Sequence, residues 1–257
     1  VSRTVADTAA VLDAISAFDP TAWYNAPAPS RPFANEVGTK PGQLRIAFTT
    51  IAPSGVPVDA SCVEAVKRTA ALLAELGHEV FEGAPNWPDV NAMLPGFITV
   101  WNTGIAYYDV DDWNQVEPLT RAMRDQAAAT DSLKYVRSLA EMQVFSRQIV
   151  QSWGRDFDLL LTPTCAVEPP KIGWVYETSS DDPMEPLFRA GVMAPFTLCF
   201  NLTGQPAISL PLHTAPSGLP VGVQLVGKPW GEAELIRIAS QLEQAAPWRD
   251  RKPTMAV

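Results

Sequence analysis

The groups in this chain that could carry nucleophilic or acid–base chemistry are few: two histidines, three cysteines and scattered serines. A serine hydroxyl needs a partner base before it attacks a carbonyl. No G-x-S-x-G elbow is present, and no serine has a lysine three positions on. Ser179 and Ser180 are adjacent, but Thr178, Asp181 and Asp182 surround them, with no glycine to shape an oxyanion loop. They read as a solvated loop with aspartate capping. His78 follows Gly77 at a helix end and opens a strand, so it reads as a surface or half-buried histidine rather than a base. His213 falls in the loop after a strand at 207–210 and lacks a nucleophile nearby in sequence. A Ser-His-Asp site would need assembly from distant segments. Cys62, Cys165 and Cys199 are far apart and odd in number, without the C-x-x-C or histidine spacing of a zinc site. No metal and no cofactor is expected. The thiols read as small free hydrophobes, which fits a cytoplasmic location.

The most informative stretch is 200–211, FNLTGQPAISLP. Gly204 permits a backbone conformation or close approach that a side chain would block. Pro206 suits the first residue of a strand. Residues 207–210 alternate as a buried strand would. The segment reads as a polar turn feeding a buried strand, either a plain junction or the lip of a cleft.

The elements around it alternate between helix and strand. Thr4 and Asp7 have the spacing of a capping box for a helix reaching about Phe18. A proline-rich connection covers 26–41, with Trp23, Tyr24 and Phe33 available to pin it. A strand at 44–49, a helix capped by Asp59 and a strand at 78–82 form a βαβ unit. That helix buries Val63, Val66, Ala70, Leu73 and Leu76 and stops at Gly77. Helical segments follow at 90–108 and 132–153, the second with a stripe of Val136, Leu139, Met142, Phe145, Ile149 and Trp153. A buried strand at 157–162 ends at Pro163, and a last helix spans 232–245. The fold class read from these elements is α/β, a mixed sheet flanked by helices.

Composition excludes some partners. A chain of 257 residues with 47% hydrophobic content can bury a sizeable core. Its net charge of −9 offers no basic patch for nucleic acid. No apolar run approaches the ~20 residues that span a bilayer, so no membrane partner is expected.

Several blocks together carry a family resemblance. FNLTGQPAISLP, followed by GLPVGVQLVGKPW at 218–230, resembles the C-terminal signature of the amidase signature family. VSRTVADTAAVLDAISAFDP at 1–20, DLLLTPT at 158–164 and QLEQAAPWRDRKP at 241–253 resemble other blocks of that family, in its order. The resemblance covers essentially 1–257 and implies the C-terminal part of a single amidase signature domain, encoding part of an α/β/α sandwich with a mixed central sheet. It also implies a nucleophilic serine, a bridging serine and a lysine in a segment N-terminal to the helix that begins here at Thr4. The chain alone is therefore expected to be inactive. A preceding segment or chain is expected to complete the sheet, because a half-sheet exposes unpaired backbone groups. The same exposed edge allows a homo-oligomer.

The amidotransferase branch of the family carries an aspartate at the position matching Ala194 in APFTLCFN, where it meets a free amino group. Its absence, with AISLP and the QLE-x-x-x-PW close, points instead to bacterial hydrolases of small linear or cyclic amides. The resemblance places substrate-binding candidates at Trp101, Asn102, Phe196, Asn201, Thr203 and Gln205, shaping and orienting substrate without doing the chemistry. Trp101 also reads as a core residue, and Asn201 and Gln205 as amides paired with turn backbone. Two functions follow. One is an amidase cleaving a C–N bond of a small amide with a Ser-Ser-Lys centre supplied by the preceding segment. The other is a non-catalytic binding or scaffold module derived from an amidase.

Overall fold

The computed structural model describes residues 1–251, so the Lys252–Pro253 end of the closing motif lies outside the described residues. Its elements in chain order are α1 (Val5–Ile15), β1 (Arg45–Phe48), α2 (Ala60–Glu75), β2 (Glu79–Glu82), α3 (Val90–Thr103), α4 (Pro118–Ala128), α5 (Ser132–Val150), β3 (Leu159–Pro163), α6 (Glu185–Met193), α7 (Leu198–Thr203), β4 (Ala207–Thr214), β5 (Pro220–Val226) and α8 (Glu232–Ala245). The strands form one mixed sheet in the order β2-β1-β3-β5-β4. β1 runs parallel to both β2 and β3, whereas β5 is antiparallel to β3 and β4.

Alternation along the strands explains the layers, since successive side chains point to opposite faces. Ile46, Leu159, Leu161, Leu210, Val223 and Leu225 face α1, α2 and α8. Ala47, Leu160 and Val226 face the other way, onto Ile149 of α5, Cys199 and Phe200 of α7, and Val90 and Met93 of α3. Two apolar faces covered by helices make the α/β/α sandwich expected from the sequence.

Local chemistry sets the helix ends. Thr4 Oγ1 accepts from Asp7 N–H at 3.0 Å while Asp7 Oδ2 accepts from Thr4 N–H at 3.3 Å, the capping box read from the spacing. Asp89 and Asp131 cap α3 and α5 through their carboxylates. α2 ends at Gly77, whose φ of 95° a glycine adopts without steric cost.

Several expectations are corrected. α1 stops at Ile15 rather than near Phe18; Phe18 is exposed, so no burial favours another turn. Asp13, near that end, instead accepts from Phe33 and Ala34 N–H at 2.6 and 2.9 Å. Of the aromatics offered to pin the proline-rich connection, only Phe33 is buried, while Trp23 stands 92% exposed. Asp59 precedes α2 without capping it by its side chain; the carboxylate accepts from Glu168 N–H at 2.9 Å. His78 is buried: Nδ1 accepts from Leu44 N–H at 3.2 Å, which leaves Nε2–H to donate to Gln241 Oε1 at 2.9 Å. It ties the start of β1 to α8. Val136 of α5 is exposed, so the buried stripe of that helix is narrower than its apolar residues suggest.

The opening of FNLTGQPAISLP differs most. Residues 198–203 form the short helix α7, ended by Gly204 at φ 67°. β4 lies at the sheet edge, with Ala207 and Ser209 exposed and Leu210 buried, rather than being buried throughout. It continues to Thr214, so His213 sits in the strand, past a register irregularity between Leu210 and His213.

Candidate functional site

The carboxyl ends of β1 and β3 point the same way, and in open α/β sheets ligands bind beyond such ends. A polar group collects there on an otherwise apolar sheet. Gln224 Nε2 donates to Thr162 Oγ1 at 3.2 Å, and Thr162 Oγ1 donates to Pro163 O at 2.9 Å. Thr164 Oγ1 and Ser209 Oγ lie 2.7 Å apart. Register explains the convergence: Thr162 and Ser209 both lie opposite Gln224, on the face that also holds Leu160 and Val226. Gly222 completes the notch. A Cβ there would lie 2.9 Å from Ser209 Oγ and 3.0 Å from Thr164 Oγ1. Gly222→Ala is expected to push the two hydroxyls apart and cost about 1 kcal/mol, the worth of one hydrogen bond. Denaturant unfolding checks this, and an unchanged midpoint would contradict the packing.

Of the proposed substrate residues, Phe196 sits at this end, fully buried against Ala52 and Ala166 in the loops that leave β1 and β3. Gln205 lies at the opposite end. It is buried, and its Nε2 donates to Gly227 O at 2.8 Å, just past the end of β5 and next to where β3 begins. α7 spans the distance between them, carrying exposed Asn201 and half-buried Thr203, whose Oγ1 accepts from Gln205 N–H at 3.3 Å. Trp101 and Asn102 belong to α3, which packs on α4 and α5, and α7 also packs on α5. Trp101 is 48% exposed. Asn102 is buried, with Nδ2 donating to Gln126 Oε1 at 2.9 Å. Phe196 and Gln205 thus lie at opposite ends of the sheet, with Asn201 and Thr203 on the helix between them and Trp101 and Asn102 apart on α3. Two buried acceptors, Asn102 Oδ1 and Gln205 Oε1, have no donor among the described residues.

Thr162, Thr164, Ser209 and Gln224 escaped the sequence reading. Their signal is that each is a polar residue in, or directly after, an apolar strand: DLLLTPT, AISLP and VGVQLV.

The notch lacks the parts of a hydrolytic centre. Ser209 and Thr164 hydrogen-bond to each other, and a hydroxyl is no base. Cys165 follows Thr164 in the chain, and burial raises its pKa. Burial pushes Cys62 up to about 11 and Cys199 up to about 12, so these thiols are protonated at neutral pH. The histidines do not supply the missing base. His213 lines a separate cleft of about 550 Å³ with Ser61, Asp59, Glu64 and Glu168, between the start of α2 and the end of β4. Glu64 there pairs with Arg68 at 2.7 Å, and Glu168 Oε2 accepts from Ser217 Oγ at 2.6 Å.

Fold and site together describe an α/β/α sandwich with a polar notch at the strand ends and no activated nucleophile among the described residues. A family model described as Amidase matches residues 1–236, and the chain belongs to the amidase family. It is 33% identical over 278 residues to 6-aminohexanoate-cyclic-dimer hydrolase of Pseudomonas sp. (strain NK87), covering 99% of this chain and 54% of that protein. It is 33% identical over 262 residues to the putative amidase AmiB2 of Mycobacterium tuberculosis (strain ATCC 25618 / H37Rv), covering all of this chain and 53% of the relative. The solved structure of 6-aminohexanoate cyclic dimer hydrolase complexed with substrate superposes with a TM-score of 0.90 at 31% identity, over 98% of this chain and 55% of that one. A bacterial aryl acylamidase of the amidase signature enzymes shares the fold with a TM-score of 0.77 at 19% identity, over 98% of this chain and 55% of that one. The chain spans about half the length of the curated relatives it matches.

Proposed function

We propose that residues 1–257 are the C-terminal part of a single amidase signature domain that hydrolyses a C–N bond in a small linear or cyclic amide. The observation that carries this reading is the match to about half of each relative, combined with a strand-end notch that holds hydroxyls but no base to activate them. In this reading a preceding segment supplies the Ser-Ser-Lys centre. Its lysine and bridging serine activate the nucleophile, an acyl-enzyme forms, and backbone N–H groups hold the oxyanion. This chain supplies a wall of the cleft. Phe196 shapes the strand-end side, Trp101 offers an exposed ring to an apolar amide, and Asn201 and Thr203 offer polar contacts. Asn102 and Gln205 keep carbonyl oxygens for donors brought by substrate or by the added segment. A cytoplasmic location belongs to the same reading, supported by three free thiols.

An assay on the 6-aminohexanoate cyclic dimer and a linear amide tests this, using the chain alone and the chain joined to the polypeptide encoded ahead of Val1. The expected result is no hydrolysis by the chain alone and turnover by the joined protein. Inactivity of both would favour a non-catalytic module, and turnover by the chain alone would remove the need for a second segment.

A further inference from the structure

Residues 164–197 leave the sheet after β3, at the notch end, and return to that end at Phe196. α6 lies within this segment, and Met193 O at its last turn accepts from Ala166 N–H at 2.8 Å. One helical turn back from Met193, on the same face of α6, stands Arg189. Its guanidinium stacks over the Trp174 ring at 4.3 Å, and its Nη2–H donates to Trp174 O at 2.7 Å. A guanidinium has five N–H donors. Among the described residues that carbonyl is the one acceptor Arg189 has, and its buried Nε–H has none. The contrast with the other arginines is in charge. Arg31, Arg45, Arg68, Arg124, Arg155 and Arg237 each pair with a carboxylate. Arg189 is half-buried and pairs with none among the described residues, in a chain of net charge −9. Apolar groups surround it in sequence. Phe188 and Val192, four apart, share an exposed face of α6, and Ile172 and Tyr176 on either side of Trp174 are exposed as well.

We propose that Arg189 is a specificity-determining residue that binds the carboxylate of an acidic amide, one in which an aliphatic chain joins the scissile amide to a carboxylate. The inference rests on the function proposed above and names the class of small linear amide it takes. Two features favour that ligand. The stack on Trp174 fixes the plane of the guanidinium, and a fixed fork suits a carboxylate held by two parallel hydrogen bonds. The exposed apolar face of Phe188 and Val192 beside it suits the methylene chain, which loses water on contact. Both halves of the clamp, Trp174 and Arg189, belong to the one segment that starts beside Thr164 and ends at Phe196, so the carboxylate would be held on the strand-end side of the cleft.

The test uses the chain joined to the polypeptide encoded ahead of Val1, with 6-acetamidohexanoate and its methyl ester as paired substrates and released amine as the readout. The parent should favour the free acid in kcat/KM by about 30-fold, mostly through KM, the effect of one charge-assisted contact. Arg189→Met should abolish that preference. Arg189→Lys keeps the charge but loses the fork and should leave a preference of about threefold, which tests the assignment even where the methionine variant melts early. Circular dichroism and melting of each variant report its folding. Calorimetric titration with hexanoate gives a readout apart from turnover, with binding expected for the parent and lost in Arg189→Met. Equal kcat/KM for acid and ester in the parent, or a preference that survives in Arg189→Met, would overturn the assignment while leaving the amidase reading intact. Arg189-dependent binding of hexanoate by a joined protein that hydrolyses no amide tested would support the carboxylate site and overturn the amidase reading. Binding of hexanoate by the chain alone but not by the joined protein would overturn the assignment in favour of a carboxylate on the preceding segment.

Discussion

Glu36→Gln is expected to destabilise the protein by about 3 kcal/mol and to weaken its sensitivity to acid. Glu36 is 1% exposed and is held from two directions. Arg31 donates to both of its oxygens at 2.7 and 2.6 Å, and Arg237 of α8 donates Nε–H to Oε2. Removing one partner of a buried pair costs about 3–5 kcal/mol. The arginine side chains are 42% and 31% exposed, so water compensates part of the loss and the lower figure applies. Hydrogen bonds from Arg31 and then Arg237 outweigh burial and hold the Glu36 pKa at about 2, against 4.5 for a free glutamate. A carboxylate depressed on folding contributes stability above its unfolded pKa and loses it as pH falls through the folded one. The parent should therefore lose on the order of 3 kcal/mol from this group between about pH 4.5 and pH 2. Denaturant midpoints for parent and variant at neutral and acid pH check both parts. Equal midpoints at pH 7, or equal acid slopes, would contradict the buried clamp.

Trp153→Ala is expected to cost about 4 kcal/mol. The ring is buried between α5 and β3, edge-to-face with Phe157 at 4.9 Å and with Phe200 at 6.2 Å. Its Nε1–H donates to Val226 O at 3.1 Å. Truncation opens a large cavity and removes that donor. Trp153→Phe keeps much of the packing and isolates the hydrogen bond, with an expected loss of about 1 kcal/mol. Phe200 belongs to α7, so the same cavity loosens the helix that links Phe196 to Gln205. Urea unfolding measures the stability loss. A shift below about 1 kcal/mol for the alanine variant would show that the site repacks freely.

How far the fold could be read depended on where each element obtains its stability. The β1–α2–β2 unit and α8 were legible because apolar period and helix ends agree: Val66, Ala70 and Leu73 are buried at helical spacing, and Gly77 ends the turn. α7 was not legible. Six residues, LCFNLT, are too short to hold a helix by propensity, and Cys199 and Phe200 hold it by packing. β4 misled for another reason. Ala207 to Leu210 has the composition of a central strand, but among the described residues β4 pairs with β5 alone and so lies at an edge. The notch escaped because Thr162, Ser209 and Gln224 are distant in sequence and meet only through register. The family blocks were legible because each is a run of neighbouring residues, whereas the six candidate contacts required tertiary placement.

The central claim is that the nucleophile lies outside these 257 residues. Labelling with a serine-directed fluorophosphonate, followed by peptide mapping, tests it most directly. The account predicts no label on the chain alone, and a label on a serine of the preceding segment when both parts are present. A label on any serine of this chain, such as Ser209 in the notch, would contradict it.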